Sequence, residues 1–307
     1  MRKMVIAGAN GFLGEVLIRW FTAKGWEVVG LSRSGGVYEE AKEVKWDGRT
    51  LADWAKELEG AEVLVNLAGK SVNCRYGKKN RDRIFSSRLE STKIIGEAIR
   101  QCENPPRLWL NSSTATIYRH AEDRPQDEET GELGEGFSVE VAKAWEKALA
   151  ESEVPEGVRK VALRTAIVFG NVKGSVFDYL RTIAKLGLGG KMGSGRQKVS
   201  WIHIDDFCGA IEWMIEQESL RDYYNLAAPN PTDNAGCMKG FRKIAGRSFG
   251  LPATKWMLKV GTFVMRSETE LVLKSRWVLP KWLLEDGYEF KWSNFEDGLM
   301  DLEGCSK

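Results

Sequence analysis

The sequence predicts an α/β fold: a doubly wound parallel sheet with a small, mostly helical C-terminal lobe. Three observations carry this. Short runs rich in Val, Ile and Leu alternate with helical patterns over the first two-thirds of the chain. Those runs lack the in–out alternation of a half-solvated strand, so both of their faces are expected to be buried, as in a parallel sheet. From about residue 171 the pattern changes to a glycine-rich loop, "GLGGKMGSGRQ" (187–197), and then to short helices punctuated by Pro252 and Pro280.

The elements follow in order. "KMVIAG" (3–8) reads as the first strand and "FLGEVLIRWFTAKG" (12–25), apolar at helical spacing, as the first helix. "WEVVGLS" (26–32), "AEVLVNLAG" (61–69), "RLWLNSS" (107–113) and "RKVALRTAIVFG" (159–170) continue the strands, with helices supplying right-handed crossovers. "VSWIHIDDFCGAIEWMIEQ" (199–217) reads as a short strand and a helix capped by Asp205 or Asp206. "NLAAPNPTDN" (225–234) is a turn-rich joint before the lobe. The first unit is expected over 1–170, with strands returning to it up to about 230. The remainder of 171–307 is expected on the substrate side and in the lobe.

Composition excludes several classes. The net charge of +2 gives no basic excess for nucleic acid. The local cluster "CRYGKKNRDR" (74–83) reads as a solvated helix start. No stretch is long and apolar enough to span a bilayer, so no membrane role is expected. Five cysteines (Cys74, Cys102, Cys208, Cys237, Cys305) are scattered without CxxC spacing, which points to a reducing compartment, expected to be the cytoplasm, and to no structural metal. Two histidines, His120 and His203, are too few for a His-rich metal site.

The start of the chain carries a ligand signal. Gly8, Gly11 and Gly14 stand in G-x-x-G-x-x-G spacing, with Phe12 and Leu13 opening the helix. After a strand and before a helix, this spacing fits a dinucleotide: the backbone approaches a pyrophosphate, and the helix N-terminus presents free N–H groups. The end of the second strand selects among dinucleotides. An NAD site needs a carboxylate there for the ribose hydroxyls. Here Ser32 and Arg33 stand in its place, and an arginine binds a 2′-phosphate, so the expected cofactor is NADP(H). Asp47, after the third strand, is placed either to meet the adenine amino group or to cap a helix. Gly69 closes "NLAG" (66–69), where small residues make room for a ribose. The first unit is thus a Rossmann-type, NADP-binding domain.

Together with "SRLESTK", "GSGRQKVSWIHIDD" and "RWVLPKWLLEDGYEF", these segments resemble the short-chain dehydrogenase/reductase superfamily of the extended type. More narrowly, they are similar to its atypical group of "epimerase family" proteins, which are NAD-dependent epimerase/dehydratase-like and cell-division-inhibitor-like. The resemblance covers nearly the whole chain. It implies that Ser32 and Arg33 contact NADP, that Leu67 and Ala68 flank the cofactor, that Arg88 reaches it, and that Val168 offers a backbone contact near the nicotinamide.

Active members of that superfamily use a Ser or Thr after the fifth strand to polarise the substrate oxygen. A Tyr, activated by a Lys four residues on, exchanges the proton. "LNSSTATIY" (110–118) supplies Ser113 or Thr114 for the first role, and Tyr118 follows. The helix "GEGFSVEVAKAWEKALAE" (134–151) supplies no Tyr-x-x-x-Lys. Ser138 or Phe137 stands where Tyr is expected, and Ala142 or Val141 where Lys is expected. Lys143 is one residue, about 100° of helix, out of place. Tyr118 serves as the acid only if its ring turns into the cleft. His203 reads more readily as a structural histidine, and Arg196 as an anion handle or a surface charge. The expectation is an NADP(H)-binding oxidoreductase- or epimerase-like protein acting on a small carbonyl or sugar-derived substrate. The alternative is a non-catalytic NADP(H) sensor or scaffold with a protein partner.

Overall fold

The computed structural model describes residues 1–34, 40–254 and 274–304. Seven strands form the central sheet: β1 (Lys3–Ala7), β2 (Glu27–Ser32), β3 (Lys42–Lys45), β4 (Val63–Asn66), β5 (Leu108–Thr114), β6 (Arg159–Thr165) and β10 (Tyr223–Leu226). Their order is β10-β6-β5-β4-β1-β2-β3, and every pairing is parallel. The chain winds outward from β1 in one direction and returns to β4 to wind in the other. Such a reversal leaves a crevice at the carboxyl ends of β1 and β4, the place where ligands bind in open α/β sheets.

The unbroken apolar runs are explained by the layers. Met4 and Ile6 of β1 pack with Leu17, Ile18 and Phe21 of α1 (Phe12–Thr22) and with Phe207, Ile211 and Met214 of α5 (Ile204–Glu216). The alternate residues Val5 and Ala7 face Ile95 and Ile99 of α2 (Lys78–Arg100) and Leu149 of α3 (Phe137–Ala150). Both faces of β1 are therefore dry, which is why its run is apolar without alternation.

The run 159–170 is two strands and not one. The Ala166 N–H still donates to Leu226 O on the central sheet (3.0 Å), but the Ile167 N–H donates to Ser200 O (3.3 Å). The chain thus passes at Ala166 to a second, two-stranded sheet of β7 (Ile167–Phe169) and β9 (Trp201–His203), with the short β8 (Lys198–Val199) just before β9 in the chain. The cap of α5 also differs from expectation. His203 and neither aspartate is the N-cap, its Nδ1 accepting from the Asp205 N–H (3.1 Å). Asp206 is buried, and it accepts from the main-chain N–H groups of Lys291 and Trp292.

The C-terminal lobe is helical and has its own aromatic core. Phe177, from α4 (Val176–Lys185), and Phe241, from α6 (Asn234–Ile244), meet Phe169, Trp201 and Phe295. The short helices Lys281–Glu285 and Phe295–Leu302 complete it. The loop after β5 is tied to this lobe: Gln126 exchanges main-chain bonds with Trp277 and Leu279, and buried Glu128 accepts from the Lys281 N–H. Cys305 lies outside the described residues.

Candidate cofactor and active site

The glycine loop is shaped by three different constraints. Gly8 holds φ of 83°, and a Cβ there would stand 2.9 Å from the Ala68 nitrogen, so Gly8 lets β1 and the end of β4 touch. A Cβ on Gly14 would stand 2.4 Å from Ala9 O, so this glycine seats α1 against the loop. A Cβ on Gly11 would meet only Gly8 O, at 3.4 Å. Protein packing does not require glycine at position 11; the space it leaves faces outward over the helix N-terminus. Among the described residues no side chain caps α1. An open cradle beside uncapped N–H groups at the sheet's switch point fits a pyrophosphate, with the Phe12 and Leu13 amides among its donors.

Ser32 is buried at the end of β2, and Arg33 is exposed immediately after it. Asp47 is also exposed, but its carboxylate closes its own turn, accepting from the main-chain N–H groups of Arg49 and Thr50 (2.9 Å each) and from the Thr50 hydroxyl. These bonds hold its pKa below the usual value.

The end of β4 is rigid. The Leu67 N–H donates to Ala7 O (2.8 Å), and the Ala68 N–H donates to the side chain of Asn66 (3.0 Å). Asn66 is fully buried and donates to Asn111 of β5 (2.7 Å). Gly69 serves Arg88: a Cβ there would stand 3.2 Å from the guanidinium carbon. Arg88 donates to the carbonyls of Lys70 and Ile84 and lies 5.0 Å from the ring centre of Trp145. Burial pulls its pKa down to about 10, which leaves it charged at neutral pH. No carboxylate pairs with it among the described residues, so this half-buried cation is available to an anionic ligand. Val168, in β7, is buried, and Gly170 just beyond it packs on the Phe12 ring of α1. The strand assigned to the nicotinamide end thereby touches the glycine loop.

The three proton-transfer candidates are placed very differently. Ser113 is 6% exposed and donates to Glu146 of α3 (2.6 Å). Thr114 is half-buried at the strand's carboxyl end, its Oγ1 accepting from the Thr116 N–H (3.1 Å). Successive strand residues face opposite sides, so the two hydroxyls point apart. Tyr118 is 2% exposed; its hydroxyl donates to Asn225 (3.0 Å) and accepts from Arg164 (2.9 Å). Burial pushes the phenol up to about 12. Its ring is a core element and does not turn into the cleft.

Glu146 and Arg164, which sequence reasoning missed, hold these groups. Arg164 grips the Glu146 carboxylate with two bonds (2.9 and 2.8 Å) and stacks on the Tyr223 ring at 3.7 Å. The signal was present in the register: Arg164 is the strand partner of Ser113. On α3, Ala142 and Val141 are buried and Lys143 is exposed, donating to Gly134 O (3.1 Å). Lys143 is therefore turned from the helix face where the missing lysine would stand. Arg196 is a surface side chain. His203 is buried with Nε2 at 3.4 Å from Asp301. Because Nδ1 already accepts the Asp205 N–H, neutral His203 carries its proton on Nε2, which opposes metal binding by the His203–Asp205–Asp301 cluster.

The comparisons agree with this architecture. The model of the NAD dependent epimerase/dehydratase family matches residues 4–227, and that of a domain of unknown function (DUF1731) matches residues 253–302. Epimerase family protein YfhF of Bacillus subtilis is 29% identical, over 98% of this chain and 97% of its own. The crystal structure of human epimerase family protein SDR39U1 (isoform 2) with NADPH superposes with a TM-score of 0.86 at 26% identity, covering 98% of this chain and 99% of that one. A UDP-glucuronic acid 4-epimerase from Bacillus cereus, in complex with UDP-glucuronic acid and NAD, shares the fold at 17% identity and a TM-score of 0.74, over 99% and 98% of the two chains. With most of its length matched by that family model, and with the switch-point cradle that the family's cofactor requires, the chain belongs to the NAD dependent epimerase/dehydratase family.

Proposed function

We propose that this protein binds NADP(H) across the carboxyl ends of β1, β2 and β4 and catalyses oxidoreduction, or redox-based epimerisation, of a small carbonyl or sugar-derived substrate. The observation that carries the reading is the open cradle over Gly11 flanked by exposed Arg33 and by Arg88, which has no carboxylate partner among the described residues. Arg33 suits a 2′-phosphate, and Arg88 suits an anionic or hydroxyl-rich part of the cofactor near Gly69. The NADPH in the human relative's structure supports the same choice. When bound, the cofactor supplies two-electron chemistry at a carbon. Leu67, Ala68 and the Val168 main chain flank it. Thr114, at the carboxyl end of β5, is the hydroxyl available to orient a substrate oxygen. In this reading the partner is a small molecule and not a nucleic acid or a membrane, and the compartment is reducing.

A second reading, a non-catalytic NADP(H) sensor or scaffold, draws on the burial of Ser113 and Tyr118. One experiment separates the two. Protein is incubated with NADPH deuterated on the transferable face and a metabolite extract, and products are searched for deuterium by mass spectrometry. Label in a small molecule supports catalysis. Tight NADPH binding with no label supports the sensor. Arg33→Ala is expected to reduce the preference for NADPH over NADH by about 10- to 100-fold, the worth of one charge-assisted contact. An unchanged preference rules out Arg33 as the selector.

A further inference from the structure

We propose that Tyr76 and Arg88, both from the segment between β4 and the middle of α2, together replace the Tyr–Lys pair that α3 lacks, with Tyr76 as the proton-transferring phenol and Arg88 as its positioning cation. The proposal rests on the redox reading above and names the acid–base group of that same site.

Geometry is the main support. Phe137, Val141 and Trp145 lie four residues apart on α3 and so fall along one face, in the register where Phe137 and Val141 stand at the expected Tyr and Lys positions. A Tyr and a Lys at the first two positions would present a phenol and a cation there. The structure fills this face from outside. The Tyr76 ring packs edge-on against Phe137, the first residue of α3, at 5.1 Å between centroids. The Arg88 guanidinium lies 5.0 Å over the Trp145 ring, one turn beyond Val141. The neighbouring loop thus brings a phenol beside the start of the helix, and the neighbouring helix brings a cation farther along it. Gly69 supplies the space that the guanidinium occupies, at the point where the end of β4 flanks the cofactor.

The electrostatics agree. Burial lowers the Arg88 pKa, and the charge interaction with Tyr76 opposes that lowering. Reciprocally, the cation favours the phenolate, as an activated tyrosine requires. Arg88 donates to two main-chain carbonyls, which carry no full charge, so its own charge is not neutralised there. Charged groups beside Phe137 include Arg81, 4.4 Å over its ring, and Asp82 and Glu140; Lys70, Arg75 and Lys78 belong to the same segment as Tyr76. Arg81, Asp82 and Glu140 line a groove of about 410 Å³ with Phe85, Ser86 and Phe137.

The step balances simply. In reduction, bound NADPH would supply a hydride, one proton with two electrons, to the carbonyl carbon and would leave as NADP⁺. The Tyr76 O–H bond breaks, its proton passes to the carbonyl oxygen, and the product is an alcohol. The phenolate is reprotonated from water. Oxidation reverses each transfer.

The test uses the full chain and two readouts. The first is the ultraviolet titration of the phenolate band, wild type minus Tyr76→Phe, which isolates one of the seven tyrosines. Repeating it in an Arg88→Gln background should move the Tyr76 ionisation to higher pH, and Arg88→Lys should restore it. A Tyr76 ionisation that ignores the charge at 88 overturns the pairing. The second is deuterium transfer from labelled NADPH to a panel of small aldehydes, ketones and α-dicarbonyls. Tyr76→Phe should slow transfer at least about 100-fold, the lower range for a lost general acid, with NADPH binding retained. Transfer by wild type and Tyr76→Phe at equal rates overturns the proposal and leaves the redox reading standing. If the wild type transfers no label to any probe while Tyr76 still responds to Arg88, the redox reading falls, and the catalytic role falls with it.

Discussion

Replacing the three loop glycines by alanine, one at a time, separates what the loop does for the fold from what it does for the ligand. At position 14 the new methyl would stand 2.4 Å from Ala9 O and 2.7 Å from the Ala9 carbonyl carbon. Both are main-chain atoms, which cannot rotate away. Overpacking of this kind costs about 1–3 kcal/mol, and the upper part of that range applies to a backbone clash. The better helix propensity of alanine offsets about 1 kcal/mol, leaving a net loss of about 2 kcal/mol. At position 11 the methyl meets only one atom, at 3.4 Å, and φ of −90° suits alanine. Losing a glycine N-cap costs under about 1 kcal/mol. The ligand side is the reverse. The Gly11→Ala methyl enters the space assigned to the pyrophosphate and should weaken NADPH binding by tenfold or more. Urea unfolding without ligand measures the first effect, and titration of NADPH fluorescence measures the second. The reasoning is refuted if Gly11→Ala binds NADPH like the wild type, or if it loses as much stability as Gly14→Ala.

Two further predictions concern the buried polar groups. Glu146→Ala should cost about 3–5 kcal/mol in urea unfolding, because it strands the Arg164 charge, whose side chain is 7% exposed. Replacing both partners by apolar residues should recover most of that loss, and a single-variant loss under about 1 kcal/mol contradicts the ion pair. Burial raises the Glu128 pKa to about 7, so the native state holds this proton to higher pH than the unfolded chain. Its contribution to stability is complete below the ordinary carboxylate pKa and is lost as pH rises through about 7, by on the order of 3 kcal/mol. The wild-type-minus-Glu128→Gln difference in unfolding free energy should therefore fall between about pH 5 and about pH 8. A flat difference argues against the raised pKa.

Much of the site was legible in sequence where one local segment carried the whole signal. The glycine spacing, the strand before it and the helix after it sit within 3–25, and the structure assembles them into a cradle. The placement of Ser32 and Arg33 at the end of β2 was readable because the strand itself fixes where it ends. The loss of Tyr-x-x-x-Lys was readable because helical spacing is local. The break at Ala166 was not, since both halves of 159–170 are equally apolar and only the partners Leu226 and Ser200 divide them. The true cap of α5 was hidden because His203 also ends a strand.

The sequence by itself determined the parallel α/β sheet, the dinucleotide loop and the absence of the usual acid–base pair. Each depends on periodicity or spacing within a few turns of chain. Tertiary structure decided which polar groups the site can use. It buried Tyr118 against Asn225, 107 residues away, and joined Ser113 to Glu146, 33 residues away. It left Thr114 at the strand's carboxyl end, and it set Tyr76 and Arg88 against α3. Exposure, charge pairing and the facing of one element on another are properties of several segments at once, and they exist only when the chain has folded.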